Sequence, residues 1–267
     1  MFQTVRFLPW AMIVLTVCAC ASSVPPSRLA QYVGPRATIE QATLPSLPPR
    51  SARAGLVLIT DRTAPDAAPG LPDEAVNRLA DTLQRDLNGA LPLVIERVIP
   101  SESIGLPASS EQWRDIGKQQ GLDYLMVLVA SSTEQEYPLT IFLGWTTHSQ
   151  PGLRRDNWSL LEAALVDLKT GETVLRAEGR GWATLDRPMA PGINQWYPVI
   201  WLRPQDPARR IWPPTYEGAP TTLRVVAMNQ AATRLILTFQ EAWIVKRERE
   251  LQMAHEPSSE TTARSFL

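Results

Sequence analysis

The chain has 267 residues, with 26 Lys+Arg against 27 Asp+Glu and a formal net charge of −1, both signs interspersed. That balance points to neither a nucleic acid nor an anionic surface as partner, and the length fits one domain with appendages. Proline, at 24 residues, is about twice its average share, and the nine tryptophans are also plentiful. Near the start, Arg6 precedes an apolar run from Phe7 to Val17. The run is shorter than the ~20 residues of a mature membrane-spanning helix. A positive start, a short apolar stretch and small residues after it are the features of an export signal.

The only cysteines, Cys18 and Cys20, sit at the end of that segment. Val17-Cys18-Ala19-Cys20 resembles the bacterial lipobox, in which a peptidase cuts immediately before a diacylglyceryl-cysteine. Cys20 fits better than Cys18, because small Ala19 precedes it whereas bulky Val17 precedes Cys18. The resemblance implies a signal peptide over 1–19, an acylated (palmitate-type) Cys20 and a mature chain with neither free thiol nor disulfide. Each buried methylene contributes about 0.8 kcal/mol, so two or three acyl chains anchor a protein essentially permanently. Ala21 stands where an aspartate would resemble an inner-membrane retention signal. The implied address is therefore the outer membrane, on its periplasmic face. An ordinary cleaved signal peptide and a short uncleaved anchor are the alternatives. Residues 20–53 are broken by Pro25, Pro26, Pro35, Pro45, Pro48 and Pro49 and read as a tether with no fold of its own.

Order is expected over 54–252. In "AGLVLITD" the run Leu56 to Ile59 is continuous, as in a strand buried on both faces. "LPDEAVNRLADTLQRDLNGA" then reads as a helix. Pro72 sits in its first turn, Asp73 and Glu74 favour the positive end, and Gly89 closes it. Val76, Leu79, Leu83 and Leu87 share one side of that helix. "LPLVIERVIP" is a second strand. Ser109 and Gln112 have capping-box spacing for a short helix carrying Trp113 and Ile116, ended by Gly121. "LDYLMVLVASS" is the third and central strand. The excursion 133–157 reads as a hairpin extension or edge strand of the soluble sheet. Its stretch Tyr137 to Leu143 is shorter than the ~9–11 residues of a membrane-spanning strand.

Trp158–Leu168 and Thr173–Thr184 flank the turn Lys169-Thr170-Gly171-Glu172 as an antiparallel hairpin. Arg176, Glu178 and Arg180 alternate with Leu175, Ala177 and Gly179, so one face is wet. The charged row reads as a solvated edge that discourages strand addition. Residues 186–220 hold eight prolines with Trp196, Trp201 and Trp212, and no strand or helix period survives that density. A long loop is expected there, and loops of this length are functional or disordered. Thr222 to about Gln252 reads as a helix with Val225, Met228, Ala232, Leu235, Phe239 and Ala242 along one stripe. A disordered tail is expected over 253–267. The sum is a single α+β domain: a mixed sheet in chain order β-α-β-α-β-β-β-α, with the helices packed on one face.

"GLDYLMVLVA", "AALVDLKTGETVLRAEGRG" and "VVAMNQAATRLI" resemble periplasmic domains shared by three groups of envelope proteins. These are the curli secretion-channel lipoproteins, the amino-terminal domain of the Tol-system propeller protein, and lipoprotein activators of cell-wall synthases. Val98-Ile99-Pro100-Ser101 and the excursion are similar, in layout, to the rhombotarget lipoproteins. The resemblance covers about Ala54 to Thr184 and the final helix. It implies a scaffold, not a site.

Catalytic chemistry is hard to place. His148 and His255 have no ligand partners at metal spacing. No Gly-x-Ser-x-Gly elbow and no glycine-rich phosphate loop occurs. No cofactor, metal or enzymatic activity is expected. Trp196, Tyr197, Trp201, Trp212 and Tyr216 form the candidate interface, because such side chains dominate binding hot spots. The other reading has these rings plugging the core beneath the loop. The expectation is a lipid-anchored, non-catalytic binding or adaptor lipoprotein of the cell envelope. Its partners would be the membrane, through the lipid, and an envelope protein; self-association stays open. An oligomeric outer-membrane secretion channel is the second reading, and an enzyme acting on cell-wall glycan through paired carboxylates the third.

Overall fold

A computed structural model describes residues 24–34, 46–49, 52–101, 110–142, 149–189, 198–204 and 209–255. Its elements in chain order are α1 (Leu29–Val33), β1 (Arg53–Thr60), α2 (Asp73–Ala90), β2 (Val94–Ile99), α3 (Ser110–Gln120) and β3 (Tyr124–Phe142). They continue with β4 (Ser149–Asp167), β5 (Thr173–Pro188), β6 (Val199–Leu202), β7 (Arg210–Ile211) and α4 (Ala219–His255). All seven strands form one mixed sheet in the order β2-β1-β3-β4-β5-β6-β7. Strand β1 runs parallel to both β2 and β3, and every later pairing is antiparallel.

The sheet is covered on both faces, which corrects the expectation that all helices share one. Alternation along β1, β3 and β4 sends Leu56, Leu58, Met126, Leu128, Leu161 and Leu165 toward Leu79, Leu83 and Leu87 of α2 and Leu235 and Phe239 of α4. Val57, Ile59, Val127, Val129, Ala164 and Val166 face the other way, toward Trp113 of α3 and Leu29 of α1. A strand buried on both faces needs the unbroken apolar run seen in β1 and the first half of β3. Fully burying each such side chain contributes about 1.5–3 kcal/mol.

The expected order also gains elements at both ends. Strands β6 and β7 lie inside the proline-rich segment read as a loop. Four residues of β6 pair with Ala183 to Asp186 of β5. Ladder pairing supplies what no local period could announce. Residues 133–142 and 149–157 of the excursion belong to the sheet, as the hairpin-extension reading expects: β3 and β4 are strands of 19 residues each. Strand β5 follows β4 as far as the Gly152–Pro188 pair.

Part of the expected tether is folded as well. The buried Glu162 carboxylate, 3% exposed on β4, accepts the Arg28 and Leu29 amides at 2.7 and 3.1 Å and the Ser27 hydroxyl. This caps the orphan donors at the start of α1. The Tyr32 hydroxyl donates to Asp61 at 3.1 Å, Trp113 Nε1 donates to the Tyr32 carbonyl at 3.1 Å, and Arg176 donates to the Gly34 carbonyl at 2.8 Å. Arg176 is thus a docking residue rather than a member of a solvated row. Leu47 is also buried, its amide donating to Glu250 of α4 at 2.8 Å.

Helix α4 lies against β5 at backbone contact. A Cβ on Gly181 would stand 1.9 Å from the Ala227 carbonyl oxygen, and one on Gly179 would stand 2.1 Å from that of Ala231. At that distance polar side chains one turn apart reach the β5 edge not paired by β6. Gln230 accepts the Trp182 amide at 2.8 Å, while Arg234 and Thr238 donate to the carbonyls of Arg180 and Glu178 at 2.7 Å each. The β2 edge is treated in the same way, since Asn88 of α2 takes both the amide and the carbonyl of Ile95, at 2.6 and 3.2 Å. The β2 edge at Ile95 and the stretch of β5 that β6 leaves unpaired are thereby covered against strand addition.

Two substitutions of the same kind should have opposite signs. Gly181→Ala forces the helix off the strand and should cost about 3 kcal/mol, the upper range for overpacking. Gly89→Ala, with nothing within 4 Å of its new Cβ and a helical backbone, should raise stability by about 0.5–1 kcal/mol. Urea unfolding of both variants measures this, and equal effects would contradict the contact. A second expectation concerns pH. Burial pushes the Asp61 carboxyl up, but the Thr63 hydroxyl and amide and the Tyr32 hydroxyl outweigh it and hold the group below its ordinary 3.8. A depressed carboxyl stabilises in full above that value and loses its contribution as pH falls through the lower folded one. Burial, aided by the Asp61 charge, pushes the Tyr32 phenol from 10.0 up to about 12, so its contribution is full below pH 10 and lost as pH rises toward 12. Amide exchange at Leu29–Val33, corrected for intrinsic rate, should accelerate ahead of β1 at both extremes. Loss of protection in step with β1 would mean that this tie does not hold α1.

Candidate functional site

Beyond Glu162 the sheet face that carries α1 changes from apolar to polar and aromatic. Directly opposed in register, Trp158 of β4 and Trp182 of β5 stack with ring centroids 5.9 Å apart and planes inclined by 23°. The Arg203 guanidinium lies over Trp182 at 5.8 Å, a cation–π distance. Its Nε donates to the Thr184 hydroxyl at 2.9 Å. Thr184 in turn donates to Asp156 at 2.5 Å, and Tyr137 donates to the other oxygen of Asp156 at 2.8 Å. Beside them Arg154 makes a two-pronged contact with Asp186, at 2.6 and 2.9 Å. Strand alternation brings these groups together, since Tyr137, Arg154, Asp156, Thr184 and Asp186 all point from the same side of β3, β4 and β5.

The electrostatics follow from that geometry. Hydrogen bonding to Asp186 holds the Arg154 guanidinium above its ordinary value, against the opposing effect of burial. Burial, with the hydrogen bond to Asp156, pushes the Tyr137 phenol up. Both Asp156 and Asp186 are buried, and each accepts from two donor atoms. Among the described residues no group of three or more His, Cys, Asp or Glu is placed to hold a metal ion, and no helix is long and apolar enough to cross a membrane.

Of the residues singled out from sequence, Trp196, Tyr197, His148 and Cys20 lie outside the described residues. Trp201 sits on β6 opposite Thr184, half-buried, with the Arg210 guanidinium over its ring at 5.1 Å. Its Nε1 is buried and finds no acceptor among the described residues. Trp212 is 49% exposed. Tyr216 is half-buried, donates to the Pro188 carbonyl at 2.9 Å, and lies 6.0 Å from the Arg187 guanidinium. Trp201 is thus lodged on the sheet, while Tyr216 at the end of β5 and exposed Trp212 just after β7 mark its rim. The stacked Trp158–Trp182 pair was not among the expected site residues. Counting outward from the Lys169–Glu172 turn would pair Leu165 with Arg176 and Trp158 with Ala183; the register irregularity at Leu165/Val166 brings Trp158 opposite Trp182 instead.

No protein-family model matches the chain, and no curated protein matches it. Among solved structures it is similar to a protein described as a neuraminyllactose-binding hemagglutinin homolog from Helicobacter pylori, at 12% identity and a TM-score of 0.38, covering 82% of this chain and 98% of that one. It is also similar to the PelC dodecamer of Paraburkholderia phytofirmans, at 13% identity and a TM-score of 0.30, covering 75% and 95%. A lipoprotein of Neisseria meningitidis follows at 11% identity and a TM-score of 0.27, covering 54% and 88%. These are distant likenesses, and they transfer no function to this chain.

The tryptophan stack has a direct optical consequence. Trp182→Phe should remove the exciton-coupled band that two indoles at this separation give in far-ultraviolet circular dichroism. It should lower stability by about 1 kcal/mol, the range of a single aromatic pair. An unchanged spectrum would mean that the rings do not stack in solution.

Proposed function

We propose that this protein is a non-catalytic binding or adaptor lipoprotein of the cell envelope, anchored by acylated Cys20 to the outer membrane and facing the periplasm. The observation that carries the binding reading is a division of labour between side chains. Polar groups of the outer sheet are satisfied by one another, as in Arg154–Asp186 and Tyr137–Asp156–Thr184, while at the rim Trp212 stands exposed just after β7 and Tyr216 lies half-buried where β5 ends. Large, rigid aromatic side chains on an ordered scaffold are suited to capture a partner protein at low entropic cost. The rigid scaffold positions the rim, the rim supplies the contact with an envelope protein, and the lipid keeps the protein at the membrane.

Two measurements test this in the native host. Cys20→Ala should move the chain from the detergent-rich to the aqueous phase on cloud-point partition; a variant that stays with detergent would remove the anchor from the reading. Photoreactive residues at Trp212 and Tyr216 should capture one and the same envelope protein, and a replacement of Trp212 by Ala should weaken that capture about tenfold or more, as for a hot-spot residue. Crosslinks confined to the chain itself at both positions would mean that the rim is core packing.

A further inference from the structure

The site where α1 docks fixes how near the rest of the molecule lies to its anchor. Ser27 and Arg28 are held by Glu162 on β4. Between Cys20 and Ser27 there are seven residue steps, which reach at most about 25 Å when fully extended. Trp158 is four residues from Glu162 along the same strand and on the same face, about 13 Å away, and Trp182 is its neighbour on β5. Exposed on this face are Trp182, at 38%, with Arg180, Glu178 and Gln135, and Arg203 and Arg210 stand over the tryptophans of β5 and β6. Three arginines thus accompany one exposed carboxylate, Glu178, which is itself paired with Arg180 at 2.9 Å. With Arg154 and the buried Asp156 and Asp186 counted, four arginines stand against three carboxylates on this outer face, a net excess of one positive charge that whole-chain neutrality conceals.

We propose that the Trp158–Trp182–Arg203 face lies against the bilayer that holds the lipid anchor, its arginines on phospholipid phosphates and Trp182 at headgroup depth. This rests on the acylation of Cys20 put forward above and adds an orientation to it. Three features select a lipid surface as the occupant. The leash is too short to let this face travel far from the membrane. Tryptophan is the side chain whose apolar body and polar edge suit the membrane–water boundary. Basic side chains next to it are attracted by anionic headgroups. Helix α4 packs on the opposite face, so its exposed Leu237 points away from the bilayer in the same pose. The docked α1 therefore serves as an orienting strap: it converts a point anchor into a fixed presentation of the rim.

The test uses the lipidated full-length chain in vesicles of phosphatidylethanolamine and phosphatidylglycerol, with a fluorescent thiol label at Glu178→Cys or at Leu237→Cys. Lipids carrying a nitroxide at the headgroup should quench the label at 178 several-fold more than the label at 237. Adding Trp182→Glu to the first variant should bring its quenching down toward that of the second. Equal quenching at the two sites, in vesicles that retain the chain, overturns the orientation and leaves the face to a protein partner. A chain that does not stay with the vesicles overturns the anchoring and the orientation together.

Discussion

The architecture depends on the backbone-to-backbone approach of α4 and β5. Gly179 and Gly181 present no Cβ to Ala227 and Ala231, and that absence lets a 37-residue helix rest directly on the strand. Everything else that α4 does follows from this closeness. It inserts Leu235 and Phe239 into the main core, places Leu223 and Ala227 over the outer strands, and brings Gln230, Arg234 and Thr238 within hydrogen-bond reach of the β5 edge. A larger residue at either glycine would lift the helix, and the two cores and the edge would loosen together. One small-residue contact thus links hydrophobic burial to edge protection.

A second principle is the use of buried polar side chains as connectors. A carboxylate moved out of water carries a desolvation cost of several kcal/mol, tolerable only where donors replace the lost water. Glu162 meets that condition with two backbone amides and a hydroxyl from the N-terminal segment. Asp61 meets it with Thr63 and Tyr32, and Asp186 with Arg154. Glu162 and Asp61 tie α1 to the sheet, and Asp186 links two of its adjacent strands. Specific geometry is the return, since α1 has only five residues and could not hold its place by helix propensity. The same connectors fix the spatial relation between the point of anchorage and the aromatic face.

Much of the scaffold was legible in the residues. The unbroken run in β1, the 3.6-residue pattern of α2, the turn at Lys169–Glu172 and the long stripe of α4 are local signals, and each element stands where its signal lies. Of the expected stripe, Met228, Ala232, Leu235 and Phe239 are buried, while Val225 and Ala242 at its two ends are half-buried. The departures share a cause. Strand β6 exists because β5 offers it a ladder, and β7 because β6 does; nothing in a proline-rich stretch of four paired residues gives a period to read. The α1 segment looks like tether because its stabilising partner, Glu162, lies more than 130 residues away. Helices were expected on one face because side chains facing both ways in a doubly buried strand look alike.

For the site the division falls differently. An abundance of tryptophan near the C-terminal third was visible, and so was its suitability for contact. Which rings are lodged on the sheet, as Trp201 is, and which stand out, as Trp212 and Trp182 do, was not. By itself the sequence determined the class of the domain, the two long antiparallel strands' hairpin and the helix that packs on them, because hydrophobic period and turn chemistry act over a few residues. Tertiary structure alone decided the pairing of the outer strands, the docking of α1 and the alignment of Trp158 with Trp182. Those features depend on groups brought together across the chain, and their energy comes from burial and hydrogen bonding that exist only once the sheet has closed around them.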